Sequence, residues 1–513
     1  MADRLVLRGG TVAIELPGAP ITSVGIEDGR IAFIGTDDQA AGWIGTGSAA
    51  PDVVDLDGAL VTPAFVDSHV HTVRTGFALT GLDLTGLASL TAVLDALASF
   101  ARAHPDDGVV VGQGWDETGW PESRPPTGAE LERAAPGRRV YATRVDSHSA
   151  VISPSMASLV PGLANLAGWT DDGRVERDAH HAVRNTLETL ISDHDRLEAA
   201  RAACRAMAAQ GIVGFHENAA PHIGPEAEIE LVRQAAVEIG LHATVYWGEL
   251  MAIDTARRLG VAGLAGDLVA DGAFGSRTAA LSAPYTDAPD TCGHAYVTAE
   301  QVRDHVVACT EAGLQAGFHV IGDEALEEVA TGFELAETLL GDRIDAGHRL
   351  EHVEMPSPRV LDVIDRLGIS CSVQPMFDAL WGGPDGMYAA RLGERWRDTN
   401  PFARLGRHVA FGSDAPVTAL GPWAAVRAAA HPHLPEHAMS LPDAFRAHTV
   451  GGWDAAGVSA GHLTVGAPAH LATWDVPSGL TPERLPDLTP GADLPVLRRL
   501  VSGGRTIYQQ ETR

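Results

Sequence analysis

One stretch, Pro63-Ala64-Phe65-Val66-Asp67-Ser68-His69-Val70-His71, runs from apolar residues straight into two histidines. In an extended strand, residues two apart point to the same side, so His69 and His71 can face one metal ion. The motif alone is a weak signal, because 22 histidines in 513 residues produce about one such pair by chance. A second pair, His431-Pro432-His433, lies in a proline-rich stretch without a preceding strand. The context therefore favours His69 and His71.

Further polar residues follow apolar runs at the expected carboxyl ends of strands, where α/β barrels place their catalytic groups. They are Asp267 or Asp271, His319, His352 and Asp414. Taken singly, each histidine is more often a core or surface residue, and Asp414 is typical of a helix N-cap. A purely structural explanation would need all of these coincidences of residue type and position at once. The pattern therefore predicts a shared metal site.

The ligand types indicate which metal the site would hold. Nitrogen and oxygen ligands without thiolates suit zinc, although iron, manganese and nickel accept the same donors. The four cysteines have no C-x-x-C spacing, which argues against a cysteine-based site. A bound divalent ion lowers the pKa of water to about 7, and a carboxylate must then take the proton of the water. Asp414 fits that role.

The middle of the chain alternates helical periodicity with short β-branched runs, which is typical of βα units around a parallel sheet. In the clearest unit, Thr298 forms a capping box with Gln301, and the helix ends at Gly313. Strand candidates lie near Leu60, Val109, Val140, Ile212, Ala243, Leu268, Gly317, Arg349, Ile369 and His408. An eight-stranded barrel leaves two of these ten surplus. We predict an inserted hairpin or lid near residues 116–190.

Both ends of the chain contain short apolar runs separated by turn signals such as Asp28-Gly29 and Gly503-Gly504. These ends can complete one small sheet domain, or they can form two unrelated β appendages. We predict an α/β protein in which residues 1–61 and 465–513 form a β domain. Residues 62–464 then form a barrel that carries the insertion.

Composition and charge restrict the class of partner. Hydrophobic residues make up 45% of the chain and charged residues 20%, as in an ordinary folded protein. The 37 basic residues are outnumbered by 67 acidic ones, and the net charge of −30 argues against nucleic acid and anionic membranes as partners. Without a leader peptide or a long apolar run, a cytoplasmic location is expected. A small molecule is the expected partner, and a homodimer is compatible with the sequence.

Other motifs extend the histidine pattern along most of the chain. They are Gly112-Gln113-Gly114-Trp115-Asp116, Asp271-Gly272-Ala273-Phe274-Gly275-Ser276-Arg277-Thr278-Ala279, His319-Val320-Ile321-Gly322-Asp323, Arg349-Leu350-Glu351-His352, Gln374-Pro375 and Gly412-Ser413-Asp414-Ala415-Pro416-Val417. Between about Leu5 and Trp474, the chain resembles the amidohydrolase superfamily, and more narrowly the branch that includes N-substituted formamide deformylases. The resemblance implies a (β/α)8 TIM-type barrel with a small β-sandwich domain formed by both chain termini.

The resemblance also implies a ligand set. It comprises His69, His71, His319, His352 and Asp414, with Asp414 also serving as general base. A carbamylated lysine would bridge two metals at the end of the fourth barrel strand, where this chain has Asp267. Because the chain contains no lysine, that bridge cannot form. Asp267 is a shorter carboxylate, so either the strand lies further inward or one metal binds. We predict one zinc ion over a bridged pair, with Asp267 as a ligand or, alternatively, a plain turn residue.

Several side chains from the motif stretches can line a substrate pocket. They are Trp115, Trp120, His148, His216, Arg277 and Asp323. For the two tryptophans, packing in the protein interior is favoured over a place in the substrate pocket. Arg277 can clamp a carboxylate or an oxyanion, or form a structural ion pair. Asp323 can orient His319 or touch substrate, or it can cap the helix that begins near Glu324, while His216 is a spare ligand.

Together these observations predict a metal-dependent hydrolase that acts on a non-peptide carbon–nitrogen bond in an amide or N-substituted formamide of a small molecule. Asp414 is expected to move the proton, and His352 or a neighbouring donor to stabilise the oxyanion. One alternative is a mononuclear-metal aminohydrolase that deaminates a cyclic amidine. The other is a catalytically inactive barrel scaffold, against which the converging polar groups argue.

Overall fold

The computed structural model describes residues 4–13, 21–46, 50–105, 108–144, 149–344 and 347–510. The chain divides into two compact units. The first unit comprises Met1–Thr72 and Cys204–Arg513, and the second comprises Val73–Ala203. All the residues predicted to bind the metal belong to the first unit.

Eight parallel strands form the central sheet of the first unit, and they follow one another in chain order. Named below as the first to the eighth barrel strand, they are Phe65–Val70, Ile212–Ala219, His242–Trp247, Gly263–Leu264, Gln315–Val320, Arg349–His352, Ser370–Val373 and Val409–Phe411. The first two strands are buried along their whole length, as expected for parallel strands covered on both faces.

The two ends of this sheet meet beyond the eighth strand. Val70 forms a parallel bridge with Ala415. The backbone N–H of His71 donates to the Ala415 carbonyl at 3.0 Å, and that of Asp414 donates to the His69 carbonyl at 2.7 Å. The predicted (β/α)8 barrel is therefore confirmed, and its closure brings the first and last strands together.

Local sequence signals set the ends of the barrel helices. Ala299–Ala312 is capped by Thr298 in a capping box with Gln301, and Gly313 ends it in a left-handed conformation with φ of 70°. Its predicted inner face is buried. Pro358–Leu367 has a serine N-cap, Ser357, and also ends at a left-handed glycine, Gly368. Further α-helices described in this unit are Asp37–Ile44, Ala227–Ile239, Ile253–Leu259, Asp323–Leu340, Pro375–Trp381, Met387–Leu392, Pro422–Ala430, Leu441–Ala447 and Val450–Ala455.

Two sheets from the chain termini share one apolar core. The first holds Arg30–Gly35, Ser23–Glu27, Arg4–Arg8 and Asp52–Asp55 in that order. The second holds Thr11–Val12, Leu60–Pro63, Leu471–Asp475, Val496–Ser502 and Arg505–Gln509. Leu7 and Ile26 of the first sheet join Val61 and Leu471 of the second in one buried cluster. Because Leu60–Pro63 pairs with Leu471–Asp475, the termini form one β domain rather than two appendages, while its exact boundaries stay a prediction.

The second unit has a five-stranded sheet of its own. The strand order is Arg174–Glu176, Ser149–Ile152, Val140–Arg144, Val110–Trp115 and Leu82–Asp83. Its helices are Leu90–Ala103, Gly128–Ala134, Pro154–Ala157 and Arg177–Leu190, and Thr72–Thr80 and Asp193–Ala209 cross its limits. The strand candidates near Val109 and Val140 pair with each other here, and the one near Leu60 belongs to the terminal sheets, with the first barrel strand following at Phe65–Val70. The predicted insertion near residues 116–190 lies inside this unit.

None of the helices in the described part of the chain combines the length and the apolar character that spanning a membrane requires.

Candidate metal centre

Six candidate ligands lie at the carboxyl end of the barrel because each one ends or follows a barrel strand. His69 lies in the first strand, and His71 follows that strand directly. His319 and His352 lie at the ends of the fifth and sixth strands, while Asp267 and Asp414 follow the fourth and eighth. Parallel strands of a barrel end on the same face, so residues far apart in sequence meet there.

Both carboxylates lie close to His69 and to His71. Asp267 places Oδ1 3.3 Å from His69 Nε2 and Oδ2 3.3 Å from His71 Nε2. Asp414 Oδ1 lies 3.5 Å from His69 Nε2 and 3.1 Å from His71 Nε2. Ligand atoms bound to one tetrahedral zinc ion at 2.0–2.1 Å are about 3.3 Å apart. These side chains therefore have the spacing that a single zinc ion requires.

Buried atoms without a hydrogen-bond partner provide a second test of whether these side chains fit a metal ion. His69 Nε2, His352 Nε2 and Asp267 Oδ1 are shielded from solvent and have no hydrogen-bond partner. Leaving such atoms unpaired costs about 1–3 kcal/mol each. Two sets of ligand atoms lie within 4.8 Å of one another, one from His69, His71 and Asp414 and the other from His69, Asp267 and His352. A cation bound by either set would give the atoms of that set a partner.

His319 and His352 also lie at the centre, close to Asp267 and His69. His319 Nδ1 lies 3.8 Å from Asp267 Oδ1, and its Nε2 faces the Gly272 carbonyl at 3.3 Å. The His352 ring lies 4.4 Å from that of His319 and 5.0 Å from that of His69, measured between centroids. All four predicted histidines are therefore brought together with both carboxylates.

Neighbouring histidines keep the two carboxylates of the centre ionised. Burial raises the pKa of the Asp414 carboxyl, but His69 and His71 outweigh that effect and lower the pKa below its usual value. The pKa of Asp267 is likewise lowered well below its usual value, since His71 and His319 outweigh the effect of burial. Burial and the neighbouring His319 lower the pKa of His352 to about 3, so this imidazole is neutral and can act as a ligand.

Gln374 sets the tautomer of His352, a role that the sequence interpretation missed. His352 Nδ1 lies 2.7 Å from Gln374 Oε1, which can only accept a hydrogen bond. The imidazole proton is therefore assigned to Nδ1, and Nε2 is left bare toward the centre. Of the two roles predicted for His352, this geometry favours ligation over donation to an oxyanion. The signal available in the sequence was the position of Gln374 directly after the seventh strand.

The sequence left open whether Asp267 or Asp271 belongs to the metal site, and the structure gives them different contacts. Asp271 accepts hydrogen bonds from the backbone N–H groups of Ala280, Ile321 and Gly322 at 2.8–2.9 Å. It therefore stabilises a turn, whereas Asp267 faces the histidines. Asp414 is not a helix cap, because the next helix begins only at Pro422.

The predicted pocket residues have other contacts in the described regions. His216 is buried, and its Nδ1 lies 2.8 Å from Arg349 Nη1. Arg277 donates two hydrogen bonds to Asp287 at 3.0 and 2.7 Å, and Asp323 accepts one from the Ser282 amide at 3.0 Å. In the second unit, Trp115 and Trp120 donate to the carbonyls of Ala142 and Leu87. His148 lies outside the described residues. The roles of these residues in substrate binding stay a prediction.

Barrel and ligand set together define a class, that of metal-dependent hydrolases. The sequence profile of the amidohydrolase family matches residues 52–508, and the chain belongs to that family. It is a metal-dependent amidohydrolase.

The similarity to known proteins covers nearly the whole length of this chain. The N-substituted formamide deformylase of Arthrobacter pascens is 24% identical and covers 93% of this chain, which in turn covers 94% of that enzyme. Protein LONG AFTER FAR-RED 3 of Arabidopsis thaliana is 25% identical, with 99% of this chain and 92% of the relative covered. A solved structure of an uncharacterized metal-dependent hydrolase from Pyrococcus furiosus shares the fold, with a TM-score of 0.77, 24% identity and coverage of 92% and 98%.

Proposed function

We propose that this amidohydrolase cleaves the carbon–nitrogen bond of a small-molecule amide, and more narrowly of an N-substituted formamide. The observation that carries the proposal is the convergence of His69, His71, His319 and His352 with Asp267 and Asp414 at one end of the barrel. Buried and unpaired ligand atoms at this place have the chemistry of a zinc centre.

One divalent ion per chain is the proposed occupancy. Two ionised carboxylates, Asp267 and Asp414, face the ring nitrogens, whereas the charge of the nearby Glu351 is already neutralised by Arg349 at 2.6 Å. One doubly charged cation balances the two carboxylates. A second would leave positive charge unbalanced among buried groups, which is unfavourable. Zinc is proposed because all the candidate ligand atoms are nitrogen or oxygen, and because the distances from Asp267 and Asp414 to His69 and His71 match the edges of a tetrahedral site.

Asp414 is the proposed proton carrier of the reaction. When bound, zinc supplies a water of lowered pKa and a polarised substrate carbonyl. The Asp414 carboxylate lies beside His71 at the centre, and its side chain is 10% exposed, so it can reach and accept the proton of the water. It then delivers that proton to the leaving amine, while His352 stays neutral and holds its position through Gln374.

The proposed substrate class rests on the chemistry of the site and on the similarity to a formamide deformylase. A single-metal centre is also compatible with deamination of a cyclic amidine, and this is the second candidate. The two reactions release different products. Hydrolysis of an N-acyl amine yields a carboxylic acid and an amine, whereas deamination of a ring yields ammonia.

A product assay distinguishes the two. Zinc-loaded protein is incubated with N-alkyl formamides, the matching N-alkyl acetamides and aminated pyrimidine rings, and formate, acetate and ammonia are quantified. Formate with stoichiometric amine is the expected result, and Asp414→Asn serves as the inactive control. Ammonia release from the rings without acid from the amides would establish the second candidate. Absence of turnover on every N-acyl amine would overturn the proposed function.

A further inference from the structure

A fully buried group of charged side chains lies beside the metal centre inside the barrel. Arg349 and Glu351 are two residues apart on the sixth strand, and both are completely shielded from solvent. Arg349 donates from Nε to Glu351 Oε1 at 2.6 Å and from Nη2 to Oε2 at 2.9 Å. The pairing is bidentate, which fixes the plane of the carboxylate as well as its distance.

Glu351 connects this pair to His69. Glu351 Oε2 lies 2.9 Å from His69 Nδ1, and an ionised carboxylate can only accept the proton. The proton of His69 is therefore assigned to Nδ1, and the bare Nε2 points toward Asp267 and Asp414. A carboxylate on the far nitrogen also makes the ligating nitrogen more basic.

Arg349 is held from three further directions. Its Nη2 donates to the Ser68 carbonyl at 2.8 Å, its Nη1 donates to His216 Nδ1 at 2.8 Å, and its Cζ lies 4.3 Å from the centre of the Tyr246 ring. Burial and the adjacent guanidinium lower the pKa of His216 well below its usual value, so His216 accepts this hydrogen bond as a neutral ring. The guanidinium therefore cannot rotate without breaking several contacts.

The backbone explains how Glu351 and His352 both serve the same centre. Consecutive residues of a strand normally point to opposite faces. His352 has a left-handed conformation with φ of 70°, which ends this alternation. Glu351 can therefore contact His69 from within the barrel, while His352 lies against the same ring at 5.0 Å.

His69 is the ligand whose orientation affects the centre most. It belongs to both sets of ligand atoms that lie close enough to share an ion. Among the ligands in the described parts of the chain, His71 has no partner on its Nδ1, and the Nδ1 of His352 is held by a neutral amide. Only the ring shared by both sets is fixed by a charged pair.

We propose that Glu351 and Arg349 are positioning residues for His69, and that the affinity of the centre for its metal depends on them. The inference rests on the proposed function, because it requires a metal at this place. Glu351 sets the tautomer and direction of the His69 ring, and Arg349 holds the Glu351 carboxylate in place through two hydrogen bonds, with His216 and Ser68 holding Arg349. A buried ion pair adds little stability by itself, so its contribution is expected in the orientation of the ligand.

The test compares zinc affinity and stability in matched variants of the full chain. Arg349→Met with Glu351→Leu removes both charges at similar volume, so no unpaired buried charge is left, and leucine cannot accept the hydrogen bond from His69 Nδ1. Glu351→Gln alone is the conservative comparison, because its amide oxygen can still accept from His69 Nδ1 although Arg349 loses its anionic partner. Leu471→Ala is the control, because Leu471 is buried in the terminal sheets and its truncation lowers stability without touching the centre. Zinc dissociation constants are measured by competition with a chromophoric chelator, melting temperatures by calorimetry, and ligand geometry by the visible spectrum of the cobalt form.

The double variant is expected to bind zinc about 10- to 100-fold more weakly, with an altered cobalt spectrum and a melting temperature close to that of the metal-free wild type. Leu471→Ala is expected to bind zinc as tightly as the wild type although it melts earlier. A double variant that binds zinc with wild-type affinity and spectrum would overturn the positioning role and leave the metal centre intact. A wild-type protein that binds no zinc would overturn the metal centre itself, and with it this inference.

Discussion

Asp267 reaches the histidines because two glycines allow its backbone to lie close to the neighbouring strands. A Cβ on Gly248 would lie 2.6 Å from the carbonyl carbon of Asp267, so no side chain fits there. Gly266 has a left-handed φ of 71°, and a Cβ on it would lie 2.5 Å from Asn218 Oδ1. The segment that carries Asp267 thus approaches the barrel interior closely, which compensates for a side chain much shorter than a modified lysine.

Asp414→Asn is expected to keep its zinc but to lose activity. The amide can still lie beside His71, but it cannot accept a proton, so kcat should fall by about 10²- to 10⁴-fold. Zinc content by mass spectrometry and kcat on the best N-alkyl formamide are the measurements. Asp304→Asn on an exposed helix face is the matched control and should behave as the wild type. Comparable kcat values for Asp414→Asn and the wild type would contradict the proton-carrier role.

The turn after the eighth strand holds the first and last strands of the barrel in contact. Gly412 packs against His69, and a Cβ at this position would lie 2.5 Å from His69 N and 2.7 Å from His69 Cβ. The contact joins backbone to backbone, so it cannot be relieved by rotation of a side chain. The spacing between His69 and Asp414 therefore depends on glycine at position 412.

Gly412→Ala is expected to lower both stability and zinc affinity. Overpacking of this kind costs about 1–3 kcal/mol, and the strand shift that relieves it moves His69 away from Asp414. Urea unfolding and zinc competition measure the two effects. Gly42→Ala, in the helix Asp37–Ile44 with open space around the position, is the control and should be neutral or slightly stabilising. If Gly412→Ala bound zinc normally, the turn would not set the ligand spacing.

An ion-pair cluster links the loop after the fourth strand to the helix Met387–Leu392. Asp287 accepts hydrogen bonds from Arg277 and from Arg391, and the hydrogen bond from Arg277 is the largest of the effects that lower its pKa to about 2. A folded-state pKa below the usual 3.8 means that the unfolded chain takes up the proton first as the pH falls. The stabilisation is therefore complete above pH 3.8 and is lost on going down to about pH 2.

Asp287→Asn is expected to destabilise the protein more at pH 6 than at pH 3. The difference at pH 6 should be at most about 1 kcal/mol, because solvent screens a partly exposed pair. Urea midpoints of the wild type and the variant at the two pH values are the measurement. If Asp287→Asn were more strongly destabilised at pH 3 than at pH 6, the predicted pH dependence would have the wrong sign.

Zinc binding is expected to be coupled to the stability of the whole molecule. The ligands come from five strands, so a bound ion favours the closed barrel over the unfolded chain. Free zinc at 100 times its dissociation constant should add about 2.7 kcal/mol to the free energy of unfolding. Calorimetry with and without a chelator measures this shift, and metal analysis should give one zinc per chain. A reproducible value of two would show that the charge-balance argument is incomplete.

Much of the architecture was predictable because its signals are local. The capping box at Thr298 and the stop at Gly313 depend on residues within one helix, and both were correctly identified. The strand candidates near Val109 and Val140 were also real. Their membership of a separate sheet was not predictable, because an apolar run of this length has no feature that selects its pairing partner. The same limit applies to Trp115, whose indole donates to Ala142 within that sheet.

The sequence by itself determined the order of the candidate ligands and their places at strand ends, since alternation along a strand and position before a turn are properties of neighbouring residues. It also excluded a lysine bridge outright. Only the tertiary structure decided that Asp267 reaches the histidines, that Gln374 orients His352, and that Glu351 meets His69 across 282 positions of the chain. These contacts depend on how the barrel closes and on where glycines let backbones approach, and no local pattern encodes a distance between strands.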